Sequence, residues 1–144
     1  MKIYVNRFDG RNGIDNPKYP GDAGYDLYPD SYIVIPAHET RMIYTGVYVE
    51  IPERHVGLIK DRSSLALSDN LHILGGVIDS SYRGEIQILM HNLGDRPVML
   101  NEDQRVAQLV IVGCCTEPIE LVSQDEFAAM LTERNANSFG STGK

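Results

Sequence analysis

Short apolar segments bounded by Gly, Pro, Asp and Asn dominate the hydrophobic pattern of the chain. They are rich in Ile, Val and Tyr, residue types that favour β-strands. In residues 85–93, Ile86, Ile88 and Met90 share one face of such a strand, and only Leu89 breaks the alternation. Strands are predicted in residues 32–36, 42–52, 55–60, 85–93, 97–100 and 105–112. Short strands at this spacing predict an all-β sandwich or barrel-like fold.

One segment near the C-terminus has the pattern of a helix. Ser123 is followed three residues later by Glu126, as in a capping box, and Phe127 and Met130 then recur at helical spacing. We therefore predict one short amphipathic helix near residues 124–132 that packs on the sheet.

The pattern shows no repeat, linker or low-complexity segment. We therefore predict a single β domain over residues 1–133 and a flexible C-terminal arm over residues 134–144. Within the arm, Phe139 is the only large apolar side chain among Asn, Ser, Thr and Gly. A chain end of this kind commonly frays into solvent, but its small polar residues also suit a mobile phosphate-binding lid.

Composition and charge exclude several kinds of partner. The 144-residue chain has a formal net charge of −7, which argues against a general nucleic-acid binder because such proteins carry a basic face. No apolar run approaches a membrane span, and the N-terminus lacks the apolar core of a signal peptide. Cys114 and Cys115 are adjacent and would form a poor disulfide pair. We expect a cytoplasmic protein without nucleic-acid or membrane partners.

Five stretches are too polar or too rich in glycine for plain strands. They are AGYDLY (23–28), DRSSLA (61–66), GGVIDSSYRGE (75–85), DQRVAQL (103–109) and RNANSFGSTG (134–143). Each alone is a weak signal, because capped turns and flexible ends often have such sequences. In this order and spacing they resemble the five motifs of the trimeric deoxyuridine triphosphate nucleotidohydrolase (dUTPase) family, which have the forms AGxDL, PRSSLA, GxIDxxYRG, GDRxAQL and RGxxGFGSTG. The resemblance extends from Ala23 to Lys144.

This resemblance implies a jelly-roll-like subunit, or distorted β-barrel, that assembles into a homotrimer with shared active sites. It also implies hydrolysis of dUTP to dUMP and pyrophosphate, with Mg²⁺ held mainly by the triphosphate itself. In the family, each site takes the Asp/Tyr hairpin from one chain, the phosphate motifs from a second and the C-terminal tail from a third.

The third motif is expected to supply the base and the pocket for the nucleoside. Asp79 suits a general base that activates the attacking water, although a turn-forming Asp is common at such a position. By resemblance, Tyr82 packs on the deoxyribose and rejects a 2′-hydroxyl, whereas the alternative is a cross-strand aromatic residue. The resemblance also assigns the uracil edge to the backbone of Gly76, Val77 and Ile78.

The second, fourth and fifth motifs are expected to bind the phosphates, and the first is expected to lie near the metal. Arg62, Ser63 and Ser64 offer a guanidinium group, hydroxyls and turn N–H groups to an anion. Gln108 is an amide donor in an apolar strand, where an internal hydrogen bond is an equal alternative. The resemblance places Asp26 near Mg²⁺ through water, and a plain turn residue is the alternative.

The resemblance gives the C-terminal arm a role in the same site. Phe139 would stack on the uracil, with Gly140 beside it. Arg134, Ser141 and Thr142 would then reach the β- and γ-phosphates of a site on a neighbouring subunit.

The chain departs from the family pattern at four places. Asp61 stands where Pro is usual, Gln104 lies in a motif that has lost its Gly, and Ser81 stands where many members have Asp. The fifth motif has lost most of its glycines. Two alternative functions therefore stay open: hydrolysis of another pyrimidine deoxynucleotide triphosphate, and a non-catalytic sensor of dUTP. The presence of Asp79 disfavours the sensor, which needs no base.

Overall fold

The computed structural model describes residues 1–7 and 9–130, and strands dominate this part of the chain. In chain order the elements are β1 (Lys2–Val5), β2 (Ile14–Asp15), β3 (Gly24–Leu27), β4 (Ile33–Ile35), β5 (Thr40–Glu50), β6 (His55–Asp61), α1 (Ser63–Asp69), β7 (Leu71–Leu74), β8 (Val77–Asp79), β9 (Glu85–Asn92), β10 (Val98–Leu100), β11 (Ala107–Gly113) and α2 (Gln124–Ala129). The predicted all-β class is confirmed.

The strands form two main antiparallel sheets around one core. One sheet has the order β1-β5-β9-β7 and the other the order β2-β3-β11-β6-β8, and β10 pairs with β4 in a small third sheet. Alternate residues of the strands from both main sheets enter a single apolar cluster that contains Ile43, Ile88, Leu27 and Leu109. This arrangement is jelly-roll-like, with sheets that do not close into a barrel.

All six predicted strands are present, and their faces follow the predicted alternation. In β9, Ile86, Ile88 and Met90 are buried whereas Leu89 is exposed. The short strands β1, β2, β3, β7 and β8 were not among the predicted strands. Strands β3 and β8 lie inside the polar motifs, where pairing with β11 and β6 holds them extended despite their glycines and acidic residues.

The two helices differ from the prediction. The DRSSLA motif, expected to be a turn, opens helix α1, which ends at Asn70 in the left-handed conformation that caps many helices. In α2 the predicted cap is confirmed, because the Ser123 hydroxyl accepts from the Glu126 N–H at 3.2 Å.

The predicted packing of α2 on the sheet is wrong for the single chain. The helix ends at Ala129, earlier than predicted, and has no buried residue. Phe127 is 70% exposed, and the segment before the helix leaves Ile119 and Leu121 exposed at 90% and 93%. Residues 134–144 lie outside the described part, so the C-terminal arm stays a prediction.

Within the described part, no helix has the length and apolar character needed to cross a bilayer. Cys114 and Cys115 directly follow β11 as free thiols.

A buried asparagine joins β4 to the connection between β9 and β10. Asn92 is fully buried at the end of β9, and its amide donates to the carbonyls of Ile35 at 3.0 Å and Arg96 at 2.8 Å. Its side-chain oxygen accepts from the Gly94 N–H at 2.9 Å. One side chain thus satisfies three backbone groups in β4 and in the connection from β9 to β10.

We expect Asn92→Leu to destabilise the fold by about 3 kcal/mol, because a buried backbone group left without a partner costs about 1–3 kcal/mol. Urea unfolding at one fixed protein concentration measures this loss. Gln87→Leu, on the exposed face of the same strand, is the control and should change stability by less than about 0.5 kcal/mol. Equal effects of the two substitutions would contradict the role given to Asn92.

Candidate active site

A polar row crosses the middle of the five-stranded sheet. Asp26 on β3 is in register with Gln108 on β11, which is in register with Lys60 on β6. Residues in register on adjacent strands point to the same face. Gln108 donates its amide to the carbonyl of Asp61 at 3.0 Å, so the internal hydrogen bond considered from the sequence is present. A Cβ on Gly24 would lie 2.1 Å from the Gln108 side-chain oxygen, so the glycine makes room for this amide.

Two arginines converge on the carboxylate of Asp26. One carboxylate oxygen accepts from Arg62, and the other accepts from Arg105 at 3.3 Å. Burial and, next, the charge of Arg105 lower the pKa of the Arg62 guanidinium. The trio carries one net positive charge, which makes this site favourable for an anion on a chain that is acidic as a whole.

These residues line a cleft of about 360 Å³. Its walls also include Lys18, Tyr19, Asp22 and Ser63, whereas Ser64 is exposed and is not part of the lining. The structure thus brings together predicted residues of the first, second and fourth motifs.

The sequence prediction missed Lys18. Tyr19 and Asp22 close a turn around Pro20 and Gly21 through two hydrogen bonds of 3.1 Å, and this turn holds Lys18 at the mouth of the cleft. The ammonium group of Lys18 lies 5.1 Å from the centre of the Tyr19 ring. The Pro-Gly turn signal directly before the first motif could have identified this segment.

The third motif forms a separate feature on the opposite edge strand, β8. Gly76 has a φ of +88°, and its carbonyl accepts from the Ile59 N–H at 2.8 Å. A Cβ at Gly76 would lie 2.9 Å from the Ile59 carbonyl oxygen, so only glycine fits this close approach without strain. Next along the strand, Val77 is exposed and Ile78 packs against the core.

Asp79 and Tyr82 lie in the turn from β8 to β9, and these strands belong to different main sheets, so the hairpin implied by the resemblance does not form. Asp79 is exposed at the end of β8, and its carbonyl accepts from the Tyr82 N–H at 3.0 Å. The Tyr82 hydroxyl donates to the Glu85 carbonyl at 3.0 Å. A Cβ on Gly84 would lie 2.2 Å from that hydroxyl, so the glycine lets the ring lie against the backbone. The ring itself is 42% exposed and has a fixed orientation.

Within one chain, the end of β8 and the cleft are far apart. Asp79 is in register with Val56, four residues before Lys60 on β6, and β8 lies three strands from β3. With about 3.3 Å per residue and about 4.8 Å per strand, Asp79 lies roughly 20 Å from Asp26. The predicted residues Arg134, Phe139, Gly140, Ser141 and Thr142 lie outside the described part.

The donor set of the cleft fits a magnesium ion that the protein contacts through water. Among the described residues, no group of three or more His, Cys, Asp or Glu side chains is arranged to hold a metal directly. The cleft contains the carboxylates of Asp22 and Asp26, and the latter is already paired with two arginines. Mg²⁺ characteristically keeps several waters and binds one or two carboxylates together with substrate phosphates.

The chain is similar to known proteins over almost its whole length. The dUTPase family model matches residues 12–143. The deoxyuridine 5′-triphosphate nucleotidohydrolase of Clostridium kluyveri is 36% identical over 146 residues, which cover 99% of both chains. The solved Staphylococcus bacteriophage 80alpha dUTPase with dUPNHPP is 27% identical, with a TM-score of 0.86 over 99% of this chain and 98% of that chain.

A further solved relative carries a metal. A mutant dUTPase of S. aureus phage phi11, whose structure shows the coordination of a structural Mg(II) ion, is 28% identical, with a TM-score of 0.78 over 88% of this chain and 98% of that chain. The family match spans almost the whole chain and includes every motif noted in the sequence. This chain therefore belongs to the dUTPase family.

Proposed function

We propose that this protein hydrolyses dUTP to dUMP and pyrophosphate. The observation that carries the proposal is the cleft in which Arg62, Arg105 and Gln108 meet around Asp26. Such a group of donors suits a polyphosphate, and the family membership of the chain supports dUTP as the molecule that bears it.

The residues of the cleft bind and orient the triphosphate in this proposal. Arg62 and Arg105 neutralise its negative charge, and Ser63 adds a hydroxyl donor at the start of α1. Ser64 lies next to it on the exposed side. Magnesium bound to the phosphates would supply further charge neutralisation, with Asp26 holding one of its waters.

The base is Asp79, contributed by a different subunit. An exposed carboxylate can hold a water and accept its proton as that water attacks phosphorus, while pyrophosphate leaves. The separation of roughly 20 Å within one chain is too large for this step, which supports a site shared between copies. The exposed Ile119 and Leu121 also favour assembly, since large apolar side chains on an extended segment gain by burial against a neighbour.

A homotrimer with a site at each junction satisfies these requirements. The arm with Arg134, Phe139, Gly140, Ser141 and Thr142 would come from a third subunit and cover the nucleotide, with Phe139 on the uracil. We also propose a cytoplasmic location, which suits a nucleotide substrate and the free thiols of Cys114 and Cys115.

The third motif selects the nucleoside. Strand β8 is an edge strand of its sheet, so its outer backbone groups can pair with the polar edge of uracil. Gly76, Val77 and Ile78 provide this edge. The fixed ring of Tyr82 packs on the deoxyribose, where a 2′-hydroxyl would clash with it.

Removing the base should abolish turnover while leaving nucleotide binding intact. We expect Asp79→Asn to lower kcat for dUTP by about 10²–10⁴-fold with little change in KM, because general-base catalysis contributes this much. Pyrophosphate release in the presence of Mg²⁺ is the measurement. Asp95→Asn, at a carboxylate that is 94% exposed and outside the cleft, is the control. Full activity of the Asp79 variant would refute the assignment, and tight dUTP binding without turnover by the wild type would favour a sensor.

Two inactive variants should complement one another if the site is shared. Asp79→Asn and Arg62→Gln chains, unfolded together in equal amounts and refolded, should regain about a quarter of the wild-type activity. The reason is that each site draws the two residues from different chains, so about one site in four has both intact. Each variant refolded alone provides the control. No gain on mixing would show that one chain supplies both residues.

The bulk of Tyr82 should set the preference for deoxyribose. We expect Tyr82→Ala to reduce the ratio of kcat/KM for dUTP over UTP by roughly tenfold or more. Tyr82→Phe keeps the ring but removes the hydroxyl that donates to Glu85, and it should still reject UTP. Rates with dUTP, UTP, dCTP and dTTP measure the preference. Faster turnover of dCTP than of dUTP by the wild type would identify a different substrate.

A further inference from the structure

Asp61 is the centre of three hydrogen bonds at the base of helix α1. One carboxylate oxygen accepts from the Ile73 N–H at 2.7 Å, and the other lies 2.7 Å from His72 Nδ1. Its backbone carbonyl accepts from the Gln108 amide at 3.0 Å. The side chain of Asp61 is 30% exposed, so these contacts lie partly out of water.

The position of Asp61 gives these bonds a structural consequence. Asp61 ends β6 in one main sheet, and Ile73 belongs to β7, the edge strand of the other. The carboxylate therefore satisfies an N–H on an unpaired strand edge and joins the two sheets at this point. Residues 62–70, which include Arg62 and Ser63 of the cleft, form an excursion whose two ends are held together by this carboxylate.

We propose that the Asp61 carboxylate is a positioning residue for the phosphate cleft. It joins the two ends of the 62–70 excursion and so fixes the backbone position from which the Arg62 side chain extends. The backbone carbonyl of the same residue accepts from Gln108, so Asp61 contacts or adjoins two donors that line the cleft. The inference rests on the proposed function, because the cleft is taken to bind the triphosphate of dUTP.

An opposite effect of Asp61 can be imagined from its charge alone. A carboxylate next to Arg62 in sequence could weaken binding by repelling phosphate. However, both of its oxygens are engaged by the β7 residues His72 and Ile73, and Asp61 does not line the cleft. The two possibilities predict different results for the neutral isostere Asn. If repulsion dominates, Asn strengthens binding, whereas positioning requires only that an acceptor remains for the Ile73 N–H.

Calorimetry with the non-hydrolysable analogue dUpNHpp, and with dUMP for comparison, distinguishes the two. We expect Asp61→Ala to weaken dUpNHpp binding by about tenfold or more, since small displacements of binding groups are costly, and to leave dUMP binding within about twofold. Asp61→Asn should stay within about threefold of the wild type for both ligands. Asp95→Ala, which breaks an Asp–His contact of the same kind with His38 outside the cleft, is the matched control and should change neither.

Two results would overturn the proposal: wild-type affinity of Asp61→Ala for dUpNHpp, or tighter binding by both Asp61 variants. If Asp61→Ala does not fold, His72→Phe removes one of the two carboxylate contacts, and an unchanged affinity for dUpNHpp would then count against the proposal.

If the wild type binds no dUpNHpp, the proposed function fails. Amide hydrogen exchange then tests positioning independently: α1 should exchange faster in Asp61→Ala than in Asp95→Ala, and equal exchange refutes it.

Discussion

The pairing of β6 with β11 is the constraint on which the rest of this structure depends. Seven residue pairs run from Asp61 with Ala107 to His55 with Gly113. At one end β11 holds β3 and its Asp26, and at the other end β6 holds β8 and its Asp79. Because β3 and β8 belong to one rigid sheet, the distance between the cleft at Asp26 and Asp79 at the end of β8 is fixed within a chain. Chemistry that needs both must use two copies of the chain.

Charge has to be concentrated locally because the chain as a whole repels anions. The net charge is −7, yet the cleft places Arg62 and Arg105 on one carboxylate and Lys18 at its mouth. Asp26 holds both guanidinium groups in place, which would lower the ordering entropy that the binding of an anion has to overcome. Asp61 acts in the same direction through its contacts to β7.

The sequence predicted the elements in which apolar residues recur at the regular spacing of a strand or a helix. Strand β9 alternates apolar and polar residues over eight positions, so its period was readable. Helix α1 buries only Leu65 and therefore shows no apolar stripe, and its serines favour turns as much as helices. Strands β3 and β8 were hidden because the glycines and carboxylates kept there for the site weaken the strand signal.

The sequence also indicated the residue types of the site better than their grouping. Motif order pointed to Asp26, Arg62 and Gln108, which meet in the structure, whereas the separation of Asp79 from them within one chain was implied only by the resemblance and not by the residues themselves. Lys18 was missed because its turn lies just outside the first motif. Packing of α2 was wrongly predicted because a helical period reveals an apolar face without revealing which surface covers it.

The register of Asp26 with Gln108 also has a consequence for how the protein folds. These residues are separated by most of the chain, so their strands meet only after a large loop has closed, and pairings of this kind form late and slowly. A ribosome-bound chain that has not yet released β11 contains Asp26 and Arg62 but has no cleft. The cleft therefore arises only after β11 has been synthesised and paired, and any ligand that binds there would favour the finished fold over every shorter intermediate.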